Sequence, residues 1–350
     1  MDILKLIKKH DNQKMLDLLL GFPEQFEKAL KIGNSFKFTI APGQIDHIIF
    51  GGMGGSAIGG EVIISCLSKE LKIPAMVQRS YSLPKFANSR TMVIISSFSG
   101  NTEESLSLYE NARESNSKII CITSGGELEK RANANAVPII SIPGGMQPRC
   151  ALGYLSIPIL VFLKKSGIAM NEDDNFAETL ALLHKKSELY SPRNQDNLAL
   201  NIAKQFYNKI PIIYSSNDMM HAVAMRWKAQ ISENAKTMAF YNVFPELNHN
   251  EIVGWQQLPE LLRKFQIIYL RDKEDSSRNQ SRMEITKEIL EQETNQVFEL
   301  YSEGSSKLSR LFSIIYLGDM VSYYLAILNN LDPTPIKKIQ ILKDKLKDIY

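Results

Sequence analysis

Between residues 47 and 142, short apolar, β-branched runs alternate with longer stretches in which apolar residues return every three or four positions. The runs at 47–50, 75–78, 91–96, 118–122 and 138–142 predict strands, and the helical spacing between most of them predicts helices. Such alternation builds a parallel sheet with helices on both faces, because every crossover must pass over one face. The rhythm returns at Ile210, with strands expected at 211–215, 237–242, 265–271 and 296–300 and helices at 219–232, 277–293 and 307–328. The second half therefore reads as a degenerate copy of the first. Its Ser215-Ser216-Asn217-Asp218 stands where Gly51 to Ser56 stand earlier, and without the glycines it is expected to hold no phosphate.

Around these two units lie helical patterns. Residues 1–44 predict an amphipathic lead-in with Ile3, Ile7, Met15, Leu18, Leu19 and Phe26 inward, and 147–165 an apolar helix. Residues 171–174 form a polar break, followed by a helical connection. The tail carries a start signal, Thr334 as N-cap with Pro335 at the first helical position, and places Ile336, Ile339, Lys343 and Leu346 on one face. The expected organisation is a lead-in (1–44), a first α/β domain (45–165), a helical connection (166–205), a second α/β domain (206–330) and a C-terminal helix (331–350).

Composition narrows the function classes. Lys and Arg total 41 against 38 Asp and Glu, a net charge of +3 with no dense basic block, which does not indicate nucleic acid. Cys66, Cys121 and Cys150 are widely spaced in apolar surroundings and read as reduced core residues. The first residues lack a signal-peptide pattern, and no apolar run is read as approaching the roughly 20 residues of a membrane helix. The expectation is a cytoplasmic protein with neither a membrane nor a nucleic acid as partner.

Candidate chemistry clusters at the predicted carboxyl ends of the first strands, where ligands of such sheets bind. Between the strand at 91–95 and the helix opening at Glu103 lie Ser97, Ser99, Gly100 and Thr102. Hydroxyls, backbone N–H groups and the positive end of the helix suit a phosphate; an ordinary helix capped by Ser99 or Thr102 would use the same residues. Phe50 to Gly60 adds a second turn, rich in glycine, in which Gly55 allows close approach and Ser56 can donate. It is not the dinucleotide fingerprint, for no G-x-G-x-x-G with a suitably spaced acid accompanies it. Glu233 ends a helix whose Ala222, Arg226 and Ala229 share its face; His249 sits between two asparagines; Arg149 precedes the apolar helix; Lys343 interrupts an apolar face. Each also has a plain reading as a solvated carboxylate, a surface histidine, a surface ion pair or a snorkelling lysine. His10, His47, His184 and His221 have no metal-ligand spacing, and neither metal nor cofactor is expected.

Gly-Gly-Ser-x-Ile-Gly-Gly at 54–60 and Ser-x-Ser-Gly-Asn-Thr-x-Glu at 97–104 resemble the sugar isomerase (SIS) domain, a flavodoxin-like fold that binds phosphosugars. Pro148-Arg149-Cys150-Ala151-Leu152-Gly153, Ile231-Ser232-Glu233-Asn234 and the segment from Pro245 through His249 to Glu251 extend the resemblance to the bifunctional phosphoglucose/phosphomannose isomerases. The resemblance implies two flavodoxin-like SIS domains and interconversion of glucose 6-phosphate or mannose 6-phosphate with fructose 6-phosphate through a cis-enediol. It implies Gly55, Ser56, Ser97, Ser99 and Thr102 around the substrate phosphate, Glu233 as the base, Arg149 beside the enediolate, and His249 in ring opening with Lys343 as helper. Thr334 is assigned to the sugar pocket. It further implies a homodimer in which His249 crosses the interface, and a C-terminal helix closing over the active site. A non-catalytic phosphosugar-binding SIS protein, or an SIS isomerase of another phosphosugar, are the competing readings.

Overall fold

The computed structural model describes residues 2–169, 175–294 and 297–347. The polar break at 171–174 and the expected strand start at Gln296 lie outside them. Three helices lead in: α1 (Ile3–His10), α2 (Met15–Leu20) and α3 (Phe22–Ser35). The first α/β unit follows as β1 (His47–Gly51), α4 (Gly54–Leu67), β2 (Ala75–Gln78), β3 (Thr91–Ser96), α5 (Glu103–Glu114), β4 (Lys118–Thr123), α6 (Gly126–Ala134) and β5 (Ile139–Ser141). A 3-10 turn, Pro148–Cys150, opens α7 (Leu152–Lys165), and α8 (Phe176–Leu189) and α9 (Leu198–Phe206) make the connection. The second unit is β6 (Ile210–Ser216), α10 (His221–Ala235), β7 (Phe240–Phe244), the short α11 (Pro259–Leu262), β8 (Phe265–Arg271), α12 (Ser277–Leu290), β9 (Phe298–Tyr301) and α13 (Lys307–Leu328). The tail forms α14 (Lys337–Lys347).

Both sheets are parallel, ordered β2-β1-β3-β4-β5 and β7-β6-β8-β9, so the second repeats the first up to its missing edge strand. The period-2 alternation of side chains sends each strand into two cores. Ile48, Phe50, Ile94 and Ile120 face a central core shared with α4 and α7, whereas Ile49, Val93, Ile95 and Cys121 meet Leu108 and Tyr109 of α5 and Leu128 of α6. In the second sheet Ile213, Ile268 and Leu270 join the same central core; Tyr214, Phe244 and Tyr269 turn outward onto Trp255 and Met283. One helical layer thus lies between two sheets and belongs to both. Burying each of its Leu, Ile or Phe side chains contributes roughly 1.5–3 kcal/mol.

At the centre of that layer is α13, buried along all of its 22 residues against α8, α9 and α10. It is long and apolar enough to cross a membrane by length and composition, which corrects the expectation that no such run exists; here it is wholly enclosed by protein. The lead-in packs as expected at Met15, Leu19 and Phe26, and buries Leu16, Phe22 and Ala29 as well, while Ile3, Ile7 and Leu18 stay half-exposed. Cys66, Cys121 and Cys150 are buried, and none is in a disulfide among the described residues.

Two boundaries move. Helix α10 runs three residues beyond its expected end and stops at Lys236, which takes a left-handed φ of 54°, so β7 starts at Phe240 rather than 237. In the tail, Thr334 does not cap a helix: its N–H donates to Asp332 Oδ1 at 2.9 Å and its hydroxyl has no partner among the described residues. The helix begins three residues later.

Candidate active site

The first turn is built as its residues suggest. Buried β3 delivers Ser97 to the carboxyl edge of the sheet, and Thr102 stands extended before α5. Thr102 occupies the N-cap position, yet its side chain makes no cap bond; its Oγ1 instead accepts from Ser97 Oγ at 3.1 Å. The N-terminus of α4 likewise lacks a side-chain cap. Two helix ends therefore point uncapped N–H groups at the same edge, the arrangement an anion requires. Ser56 Oγ accepts from Phe98 N at 3.2 Å and ties the two turns together. Ser99 is exposed at the rim, its Oγ accepting from Asn101 N at 3.2 Å.

Glycine in α4 also allows close packing within the chain. A Cβ at Gly55 would lie 2.9 Å from Pro148 O and 3.1 Å from Arg149 N, and one at Gly59 would lie 2.6 Å from Leu155 O. These positions let α4 touch the turn of Arg149 and the start of α7. The phosphate-type turn and Arg149 are thereby held in contact.

Arg149 is buried, not the surface ion pair its plain reading suggests; its side chain is only 4% exposed. Nε donates to Asn234 Oδ1 at 2.7 Å, and Nη2 donates to Pro333 O at 3.0 Å and Thr334 O at 2.8 Å. Nη1 carries no hydrogen bond among the described residues and lies 3.5 Å from Glu233 Oε2. The carbonyl of Arg149 is held from behind by Arg226 Nη2 at 2.8 Å. Arg226 in turn forms a bidentate pair with Asp319 at 2.9 and 2.7 Å, and Gln230 donates to Asp319 at 2.9 Å. Asn234 Nδ2 completes the network by donating to Ser322 Oγ at 2.9 Å. Ala222 and Arg226, expected to share a sugar-facing surface with Glu233, are thus buried in this scaffold.

The bonds from Arg149 also bring Thr334 to the cluster, with its Oγ1 buried and without a hydrogen-bond partner among the described residues. Lys343 is not brought there. Along 337–346 every residue of α14 is exposed, including Ile341 at 55% and Leu342 at 58%, so within one chain this helix closes over nothing. The side chain of Lys347 lies outside the described residues. The lysine beside Glu233 is Lys236, which donates to Glu233 O at 2.9 Å and Pro333 O at 2.8 Å. Burial and then Arg149 pull its pKa down to about 8, against Asp332 and Glu233. Sequence reasoning missed Lys236, Asn234 and Asp319; the only sequence signal is that Asn234 and Lys236 follow Glu233 at the helix end.

His249 also stands apart from Glu233 in the same chain. Glu233 ends α10 at the amino edge of the second sheet, whereas His249 follows β7 at the carboxyl edge. The five residues of β7, at about 3.3 Å each, put roughly 16 Å between those edges. The histidine is exposed on a rigid loop: Asn248 Nδ2 donates to Thr286 Oγ1 and Asn250 Nδ2 to Glu246 Oε1, both at 2.8 Å. Glu251 fastens the loop to the sheet, accepting from Tyr214 and from Asn242 Nδ2.

At the second sheet's turn, Asp218 Oδ2 accepts from Ser276 N at 3.0 Å and Asn279 Nδ2 at 3.1 Å. A carboxylate occupies the donors at the start of α12 that a phosphate would need. Among the described residues no group of three His, Cys, Asp or Glu side chains is arranged to hold a metal.

The chain matches two family models, the SIS domain over residues 44–144 and the bacterial phospho-glucose isomerase C-terminal SIS domain over residues 195–346. It is 45% identical over 96% of its length, and 99% of the relative's, to a bifunctional phosphoglucose/phosphomannose isomerase of Caldicellulosiruptor bescii. A relative of the same name from Aquifex aeolicus is 38% identical over 86% of this chain and 90% of its own. A D-glucosamine-6-phosphate 4-epimerase of Sulfolobus acidocaldarius is 33% identical over 59% of this chain and 63% of its own. Among solved structures, the C-terminal domain of glucosamine-fructose-6-phosphate aminotransferase from Francisella tularensis superposes with a TM-score of 0.71, 14% identity, and 91% and 97% of the two chains covered. A hypothetical protein of Thermus thermophilus gives 0.74 at 13% identity, covering 99% and 93%. These two similarities establish the fold, two parallel-sheet SIS units.

Proposed function

The chain belongs to the bifunctional phosphoglucose/phosphomannose isomerase family, and from that membership we propose that it interconverts glucose 6-phosphate and mannose 6-phosphate with fructose 6-phosphate. The observation that carries the chemistry is Nη1 of buried Arg149, without a hydrogen bond among the described residues, 3.5 Å from Glu233 Oε2 and in the turn that Gly55 holds against α4. The phosphate binds the uncapped starts of α4 and α5 with Ser56, Ser97, Ser99 and Thr102. Glu233 takes the proton from C2 of the open aldose as the carbonyl oxygen on C1 becomes an enediolate oxygen facing Arg149. The C1 oxygen takes up a proton and the C2 hydroxyl gives one up, through the cis-enediol, and the same carboxyl returns the carbon-bound proton to C1, leaving a hydroxyl on C1 and the ketone at C2. Glu233 and Arg149 stay close enough to act on one substrate, and no electron leaves the sugar.

Two further assignments complete the reading. Because His249 and Glu233 lie at opposite edges of one sheet, His249 acts in ring opening from the partner subunit of a homodimer. The exposed apolar residues of α14 are a surface we assign to that partner; Lys343 rides on this helix as ring-opening helper and α14 closes the assembled site. Thr334 Oγ1 reads a sugar hydroxyl. Three buried cysteines outside any disulfide fit the cytoplasm.

The test is a coupled assay of fructose 6-phosphate formation from each aldose phosphate, with wild type and Glu233→Gln. Turnover of both sugars, reduced by roughly three orders of magnitude or more in the variant with binding retained, is the expected result. Binding without turnover of either sugar refutes the assignment in favour of a sensor or of another phosphosugar, for which the epimerase relative is the precedent.

A further inference from the structure

Lys236 ends the helix that carries Glu233, and its Nζ sits among four carbonyl oxygens. It donates to Glu233 O at 2.9 Å and Asn234 O at 3.1 Å on α10, and to Asp332 O at 3.1 Å and Pro333 O at 2.8 Å on the tail segment. Pro333 O also accepts from Arg149, so two cations share one carbonyl. The left-handed backbone of Lys236, φ 54° and ψ 29°, turns the stem back over the helix end instead of letting it follow the chain toward β7. A non-glycine residue adopts that conformation only uncommonly.

We propose that Lys236 is a positioning residue for the isomerisation: its ammonium clasps the end of α10 to residues 332–333 and so sets the distance between Glu233, Arg149 and Thr334. The inference rests on the isomerase reading above. It extends that reading to a residue that touches neither substrate nor reacting atoms. Without the clasp, the segment loses its direct tie to α10 and is left to Arg149 Nη2 on its two carbonyls and Asn12 Nδ2 on Asp332 Oδ2 at 3.2 Å. A carboxylate or guanidinium displaced by about 1 Å loses on the order of a hundredfold in rate.

The clasp needs the charged form. An ammonium has three donors to divide among the carbonyls, whereas the neutral amine turns a lone pair toward one of them. The charged groups facing Nζ are Glu233 and Asp332, which favour the proton, and Arg149, which with burial opposes it; the balance is about 8. As pH rises through that value the clasp opens.

The experiment compares wild type, Lys236→Met and Lys236→Arg on glucose 6-phosphate from pH 6 to 9.5, with amide exchange at Thr334 measured alongside. Expected is a kcat lower by about a hundredfold in Lys236→Met with KM within about threefold, and faster exchange at Thr334. Lys236→Arg is expected to restore most of kcat and to move the alkaline limb, near pH 8 in wild type, upward by about one pH unit or more, because guanidinium does not titrate there. A kcat within threefold of wild type in Lys236→Met, or an alkaline limb unmoved by arginine, overturns the proposal. Wild type without isomerase activity refutes the preceding section, while Thr334 exchange in Lys236→Met still decides the clasp.

Discussion

Replacing Asp319 by asparagine removes the charge that balances Arg226 while keeping the size of the side chain. Both residues are buried, Arg226 at 3% and Asp319 at 4% side-chain exposure, and the carboxylate accepts three hydrogen bonds, two from Arg226 and one from Gln230. Burial works against each charge, and the bidentate geometry offsets it. Removing one partner leaves a guanidinium in the central core with no counter-charge, which costs about 3–5 kcal/mol. The loss also reaches catalysis, since Arg226 Nη2 and Gln230 are the donors behind the carbonyl of Arg149. The expected result in urea unfolding is a destabilisation of that size in Asp319→Asn and a similar one in Arg226→Met. The double variant Arg226→Met with Asp319→Leu, which buries no charge, is expected to cost at least about 3 kcal/mol less than the sum of the singles. In folded Asp319→Asn, kcat is expected to fall further than KM rises. Additive costs in the double variant would refute the buried-pair reasoning, and an unchanged kcat would refute its link to Arg149.

Other outcomes follow from the same geometry. Mixing Glu233→Gln with His249→Ala chains is expected to regain roughly a quarter of wild-type activity, because random dimers place one intact site in half of the assemblies; no recovery after subunit exchange would count against a shared site. Ser97→Ala is expected to raise KM for the sugar phosphate by roughly 10- to 100-fold, the worth of a hydrogen bond to a charged group, and an unchanged KM would remove Ser97 from the phosphate site. Glu178 caps the start of α13 through Ser305 and Ser306; burial pushes its pKa up, but these bonds outweigh it and lower the value to about 2 from 4.5. Its stabilisation is therefore complete above pH 4.5 and lost as pH falls toward 2, so the gap in thermal midpoint between wild type and Glu178→Gln should narrow from pH 7 to pH 3. A gap independent of pH would contradict the assignment.

The strands at 75–78, 91–96 and 265–271 coincide with their expected bounds; at 91–96 the reason is plain, because a strand buried on both faces is a continuous apolar and β-branched run ended by polar turn residues. The repeat of the strand-helix rhythm and the residue types of the turn at 97–102 were legible in the same local way. Boundaries beside distant contacts were less so: α10 continues to Ala235 and β7 begins at Phe240, next to Lys236, whose ammonium meets residues 332–333 more than ninety positions away.

The candidate site divides along the same line. Residue types that bind an anion, together with their position at strand ends, are properties of short segments and can be read one after another. Which cation stands beside Glu233 is not such a property. Arg149, Asn234, Asp319 and the carbonyls at 333–334 meet only when α7, α10, α13 and the tail pack, and the helical period that predicts each element says nothing of which carbonyl another helix will need. Local pattern decided that this chain would build two parallel sheets with a phosphate-type turn; the packing of a shared helical layer decided that Lys236 and not Lys343 would lie at Glu233, because burying a charge demands partners that only the folded chain supplies.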